Sequence, residues 1–326
     1  LSTLISSVSY ALNIITPDEV RSWHAESGFE QFKLQLADGT WVGGLFFEYD
    51  DGTPAPKPLL MASFGMFQDR WGTESRKFYD LYIKDPERRI PAHILILDHP
   101  TAGAFFAYND QLSVGSYDDA RMWMEVARFL RSENEFSGIH LFGVSMSGQT
   151  VVHAVIEDER LGTALFDSAV AVSIAPDFRA EPGGQFAELP TRDGVENPWK
   201  QVLDGPGESA GLGGLKSAAI WVFIKKQFVP SYRLARPDGD LELERHDLPV
   251  FLWQACGARL GLLRERRPRT WNPEFSLEDI PGFMTTTRIA DVIDGVRTPL
   301  VLLSARDDPM VPRVRFEEVL RAAGDN

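Results

Sequence analysis

The chain has 326 residues, 33 Lys plus Arg against 47 Asp plus Glu, a formal net charge of -14 and 44% hydrophobic residues. Such proportions describe a globular protein with one large core and exclude disorder or fibre formation as a description of the whole. The acidic surplus repels phosphate backbones and anionic membranes, so nucleic-acid binding is not expected; Arg264, Arg266, Arg267 and Arg269 form a local basic run, but Glu265 and Pro268 break it and a solvated loop is the expectation.

With Cys256 as its one cysteine the chain needs no oxidising compartment, and the cytoplasm is the expected location. Leu4, Ile5, Val8, Leu12 and Ile15 recur at helical spacing without a basic n-region, which reads as a packing helix rather than a signal peptide. No run reaches the length of a membrane span.

From Glu30, the alternation of Phe32, Leu34 and Leu36, the Asp38-Gly39 turn and the run Trp41 to Tyr49 predict an antiparallel hairpin. Short apolar runs follow at 58–63, 92–97, 138–142, 168–174 and 300–304, as expected of strands buried on both faces. Helical segments are predicted at 71–84, 117–131 and 147–157. The second carries one apolar face through Ala120, Trp123, Met124, Ala127 and Leu130, with Ser116 and Asp119 as its capping pair. Alternating strands and helices imply a mostly parallel sheet, whose ligands bind beyond the carboxyl ends of the strands.

Roughly 120 residues separate Ile174 from Leu300, far more than a usual connection, so an inserted, mainly helical cap is expected. Its Gly-rich stretch 205–214 follows no strand and lacks a Lys-Ser/Thr ending; it reads as a lid loop rather than a phosphate loop. Helices are predicted near 215–224 and 250–263. The expected division is a core from 1 to 180, a cap from 181 to 295 and the rest of the core from 296 to 326.

Gly143-Val144-Ser145-Met146-Ser147-Gly148 lies between a buried strand and a helix. A sharp strand-to-helix turn strains its apical residue, and small neighbours two positions away on each side relieve collisions; Gly143 and Ser147 meet that demand. Such a turn exposes the Ser145 hydroxyl and makes the Met146 N–H an oxyanion donor. These residues resemble the nucleophile elbow of the α/β-hydrolase superfamily, GxSxG, with Ser147 standing where the last Gly would be. The segment Ala305-Arg306-Asp307-Asp308-Pro309-Met310-Val311-Pro312 resembles the acid loop of the same superfamily and assigns the triad acid to Asp308, with Asp307 structural and Asp177 a rival. Ser63-Phe64-Gly65-Met66-Phe67 resembles its oxyanion loop, with Phe64 in the place of a His. The Met66 N–H is then the second donor, with the Phe67 N–H as rival. Phe64, Phe67 and His99 are the expected substrate contacts. The insertion and the Asp-Asp-Pro segment look most like the YheT-like esterase branch.

The resemblance implies a serine hydrolase that cleaves a small acyl ester, with no cofactor and no metal. It also implies a catalytic histidine after the acid, yet His24, His93, His99, His140, His153 and His246 all precede Asp308. Two expectations follow: either the native chain continues past Asn326 into a last strand and a histidine-bearing loop, or the protein is a non-catalytic member of the fold that binds a ligand or partner. A haloalkane dehalogenase-like reading needs Asp at the apex and is excluded by Ser145. Substrate identity and oligomeric state are not legible.

Overall fold

The computed structural model describes residues 27–65, 68–109, 117–174, 228–238, 289–305 and 313–324. The leading segment, Ser116, Asp177, Cys256, Asp307, Asp308 and the cap apart from 228–238 and 289–295 lie outside these residues.

The predicted hairpin is β1 (Glu30–Gln35) and β2 (Trp41–Phe47), antiparallel with Gln35 opposite Trp41. The Asp38 carboxylate accepts from the Thr40 N–H at 2.8 Å and closes the turn. Then come β3 (Leu59–Phe64), α1 (Thr73–Tyr79, continued by a π-helical turn, Asp80–Lys84), β4 (His93–Leu97), α2 (Gly103–Asn109), α3 (Tyr117–Glu133), β5 (Ile139–Val144), α4 (Met146–Leu161) and β6 (Ser168–Val172). The described elements close with α5 (228–235), β7 (Leu300–Leu303) and α6 (Arg313–Ala323).

The seven strands form one sheet in the order β1-β2-β4-β3-β5-β6-β7. β2 runs antiparallel to β4, and every pairing from β4 to β7 is parallel. The carboxyl ends of five strands therefore open on one edge. The fold is the α/β architecture expected from the sequence: a mostly parallel sheet that starts with an antiparallel pair.

Burial on both faces explains the continuous apolar runs. On β4, Leu95 and Leu97 join a core with Trp123 of α3 and Val151 and Val152 of α4, while Ile94 and Ile96 join a second core with Phe78, Tyr79 and Ile83. Trp123 is 1% exposed, and the apolar face read from the sequence of α3 is the buried one. β7 departs from this pattern. Leu300 and Leu302 pack on the first core, whereas Val301 and Leu303 are each 49% exposed. In α6, Val319 is buried and Phe316 packs on the core, while Leu320 is exposed.

α2 and α5 were not predicted. α2 is one short stretch of small and aromatic residues, Gly-Ala-Phe-Phe-Ala-Tyr-Asn, without a clear 3.6-residue polar face, so periodicity alone did not reveal it.

Candidate active site

β5 ends at Val144, and α4 begins at Met146; Ser145 makes the whole turn between them. Its backbone is at φ 57° and ψ -122°, a conformation that residues other than glycine rarely adopt. A strained non-glycine residue of this kind costs about 1–3 kcal/mol and persists only where its surroundings enforce it. Enforcement comes from the sheet: the Ser145 N–H donates to the Val172 carbonyl at 2.7 Å, and the Ser145 carbonyl accepts from the Gln149 N–H at 3.2 Å as the first bond of α4.

The neighbours explain why the turn needs small residues. A Cβ on Gly143 would lie 2.3 Å from the Ser147 carbonyl oxygen, so any other residue there would break the turn. Ser147, in the place of the usual second glycine, is accommodated: its hydroxyl donates to the Ser63 Oγ at 3.0 Å, with both side chains about 1% exposed. The departure from GxSxG thus becomes a buried bond between β3 and α4.

Ser145 is the N-cap of α4, a position where serine ordinarily spends its hydroxyl on a backbone N–H of the first turn. Here no such side-chain cap bond is made. The hydroxyl stands at the positive end of a 16-residue helix, beside N–H groups that have no partner within the helix. Met146 supplies the first of these, and its side chain is buried at 3% exposure.

Gly65, the residue after β3, packs against this apex. A Cβ built on it would stand 3.5 Å from the Ser145 Cβ and 4.0 Å from its Oγ. The Gly65 N–H donates to the Val144 carbonyl at 2.9 Å, and its own carbonyl accepts from Gln68 at 3.4 Å. Met66 and Phe67, the expected second oxyanion donor and its rival, lie outside the described residues. Phe64 is 6% exposed and packs at 5.5 Å from Phe78 and 6.0 Å from Phe142, ring centre to ring centre. Its side chain is taken up by the core beneath the turn.

The four described histidines separate by position. His93 starts β4 and stacks on Phe46, accepting the Tyr49 N–H at 3.2 Å. His140 is near the start of β5 and shares a hydrogen bond with Ser168 at 2.8 Å. Both lie toward the amino ends of their strands, β4 and β5, whereas Ser145 follows the carboxyl end of β5. His153 is eight residues along α4 from Ser145, which is about 12 Å of helix rise; burial pulls its pKa down to about 4.

His99 alone among these four sits at the carboxyl edge, following β4. It is 1% exposed, and burial pulls its pKa down to about 3. The Thr101 N–H donates to Nδ1 at 3.1 Å, which places the proton of the neutral ring on Nε2. Nε2 is buried with no hydrogen-bond partner in the structure.

A charged network unforeseen from the sequence occupies the same edge. The Arg70 guanidinium pairs with the Asp98 carboxylate, both about 1% exposed, and also donates to Gln31 at 2.8 Å and to the Gly44 carbonyl at 3.2 Å. The Arg70 N–H donates to Asp98 at 3.0 Å. Beside them, burial first and the Asp98 charge second push the Asp69 carboxyl up to about 7. The signal available in sequence was charge at the ends of two neighbouring strands, Asp69-Arg70 after β3 and Asp98 after β4. Among the described residues no group of three or more His, Cys, Asp or Glu stands close enough to hold a metal ion.

The strand order, the parallel carboxyl edge and a strained serine between β5 and its helix meet in one place. The architecture is the one expected of the α/β-hydrolase fold. No protein-family description and no curated protein matches its sequence. Among solved structures, the chain is similar to a bacterial membrane phospholipase A, at 16% identity and a TM-score of 0.48, over 99% of this chain and 85% of the other. It is similar to an esterase of Pyrococcus furiosus at 11% identity and a TM-score of 0.49, over 95% and 81% of the two chains. A prolyl endopeptidase matches at 13% identity and a TM-score of 0.45, over 90% of this chain but 32% of its own. None of these likenesses singles out the YheT-like branch.

Proposed function

We propose that the protein is a serine hydrolase that cleaves an acyl ester through an acyl-enzyme on Ser145. The observation that carries this reading is the Ser145 backbone, held at φ 57° between β5 and α4 with its hydroxyl released from helix capping. A fold gains nothing structurally from a strained serine at that point; a nucleophile aimed over the sheet edge gains its exposure from it.

In this reading Ser145 Oγ attacks the carbonyl carbon as its proton passes to a histidine base, and the tetrahedral oxyanion accepts from the N–H groups of Met146 and Met66. Collapse expels the alcohol, which takes the proton back. Water, activated by the same base, then releases the acid and regenerates Ser145. Asp308 orients the histidine. Phe67 contacts the acyl group, and Phe64 and His99 shape the site from beneath, as enclosed side chains that set its floor. The substrate is a small acyl ester.

The Ser145→Ala variant of the full-length protein should lose at least about 1,000-fold in kcat on a p-nitrophenyl ester while still folding. Full retention of turnover contradicts the mechanism. A second reading is a binding protein without catalysis, favoured by Phe64 in the place of the oxyanion-loop histidine and Ser147 in the place of the last elbow glycine. Under that reading wild-type protein shows no more turnover than Ser145→Ala.

A further inference from the structure

One described part of the insertion, α5, reaches the same edge as Ser145 and is fastened there by more than apolar contact. A Cβ on Gly103 would lie 2.0 Å from the Phe228 carbonyl oxygen and 2.7 Å from the Tyr232 nitrogen, so α2 and α5 meet backbone to backbone. The Phe106 ring packs at 5.8 Å from Phe228 and 6.0 Å from Tyr232. Leu234 and Ala235 pack on Trp71 and Ala104.

At the centre of this contact is Ser231, 4% exposed. Its Oγ accepts from the Ala104 N–H at 2.7 Å and donates to the Asp69 carboxylate. Asp69 is itself 4% exposed; its other oxygen accepts from the Trp71 N–H at 2.9 Å, and its main-chain carbonyl accepts from the Ser75 hydroxyl at 2.6 Å. Ser231 and Asp69 together thus join the insertion, α2, the turn after β3 and α1. That turn is held to β4 by the His99 N–H on the Gln68 carbonyl at 3.1 Å and by the pairing of Arg70 with Asp98, and at its head Gly65 packs on Ser145.

A buried carboxyl is costly, and an apolar residue would fill the same space at lower cost, so its presence calls for a directional role. We propose that Asp69 is a positioning residue: through Ser231 it lets the insertion's helix fix the turn after β3 against the Ser145 apex, so that stabilisation of the oxyanion depends on the docking of α5. This rests on the hydrolase reading above.

The test uses the full-length protein and four variants: Ser231→Ala, Asp69→Ala, the two together, and Asp69→Asn, whose amide oxygen still accepts from the Trp71 N–H while its amide nitrogen donates to Ser231 Oγ. Amide hydrogen exchange over 65–75 should quicken about tenfold in each alanine variant, with exchange in β5 and the body of α4 unchanged. The kcat for a p-nitrophenyl ester should fall about tenfold in each, no further in the double variant, with KM altered less than twofold. Asp69→Asn should keep most of the wild-type rate. Unchanged exchange at 65–75, or losses in kcat that multiply in the double variant, overturns the proposal. A wild type that neither turns over esters nor reacts at Ser145 contradicts the hydrolase reading instead, and the exchange data then decide the tie. Should Asp69→Ala fail to fold, Ser231→Ala, which removes a single oxygen, carries both readouts.

Discussion

A methyl group on Gly143 has no room, because the Ser147 carbonyl is already there. Gly143→Ala should therefore cost more than 3 kcal/mol or so in urea unfolding, in the range of severe backbone and overpacking defects. Ser147→Ala should be mild, about 1 kcal/mol, since it removes one buried hydrogen bond to Ser63. A result in which the two are equally disruptive contradicts this account of the turn. Asp69 has a pH signature of its own. Its folded pKa of about 7 lies above the ordinary carboxylate value of 3.8, because burial and the facing Asp98 disfavour its charge against the help of Arg70, Ser231 and the Trp71 N–H. The stability tied to this proton is full below about pH 4 and is lost as pH rises through 7. Asp69→Asn should accordingly gain on wild type by a few kcal/mol between pH 4 and pH 8, measured by urea melts across that window; a difference that does not change with pH contradicts the buried-acid assignment.

At the scale of elements, α3 and α4 hold the first core against the sheet, and Trp123 is its largest fully buried side chain. Trp123→Ala should cost about 3–5 kcal/mol, read from the denaturation midpoint. α4 also carries the acid sensitivity. His153 is enclosed and its pKa lies below the free value of 6.5, so the stability it contributes is present above pH 6.5 and is lost as pH falls through about 4. Replacing His153 with Gln should flatten that limb by about 3 kcal/mol, seen in melts from pH 7 to pH 4. The strands and long helices of this core were legible in the sequence because each obeys one local period: alternation in β1, both-face burial in β3, β4 and β5, and the 3.6-residue stripe of α3. α2 and α5 escaped because they are short and are stabilised by contacts with each other, as at Gly103 and Phe228, which no local pattern encodes.

For the whole molecule, the fold brings to one edge residues far apart in sequence, such as Asp69 and Ser231, 162 positions apart. The apex serine was readable because strand, turn and helix are contiguous from 138 to 148. The Asp69–Arg70–Asp98 network was not readable, since its logic is the adjacency of β3 and β4, and adjacency is a property of the sheet rather than of any segment. No helix among the described residues is long and apolar enough to cross a membrane. The central claim is that Ser145 is an activated nucleophile rather than a strained structural residue. The most direct measurement is reaction of the full-length protein with a fluorophosphonate, followed by peptide mass mapping. The account predicts one adduct per chain, on Ser145 and absent in Ser145→Ala. An unmodified Ser145 under conditions that label a known serine esterase to completion would contradict it.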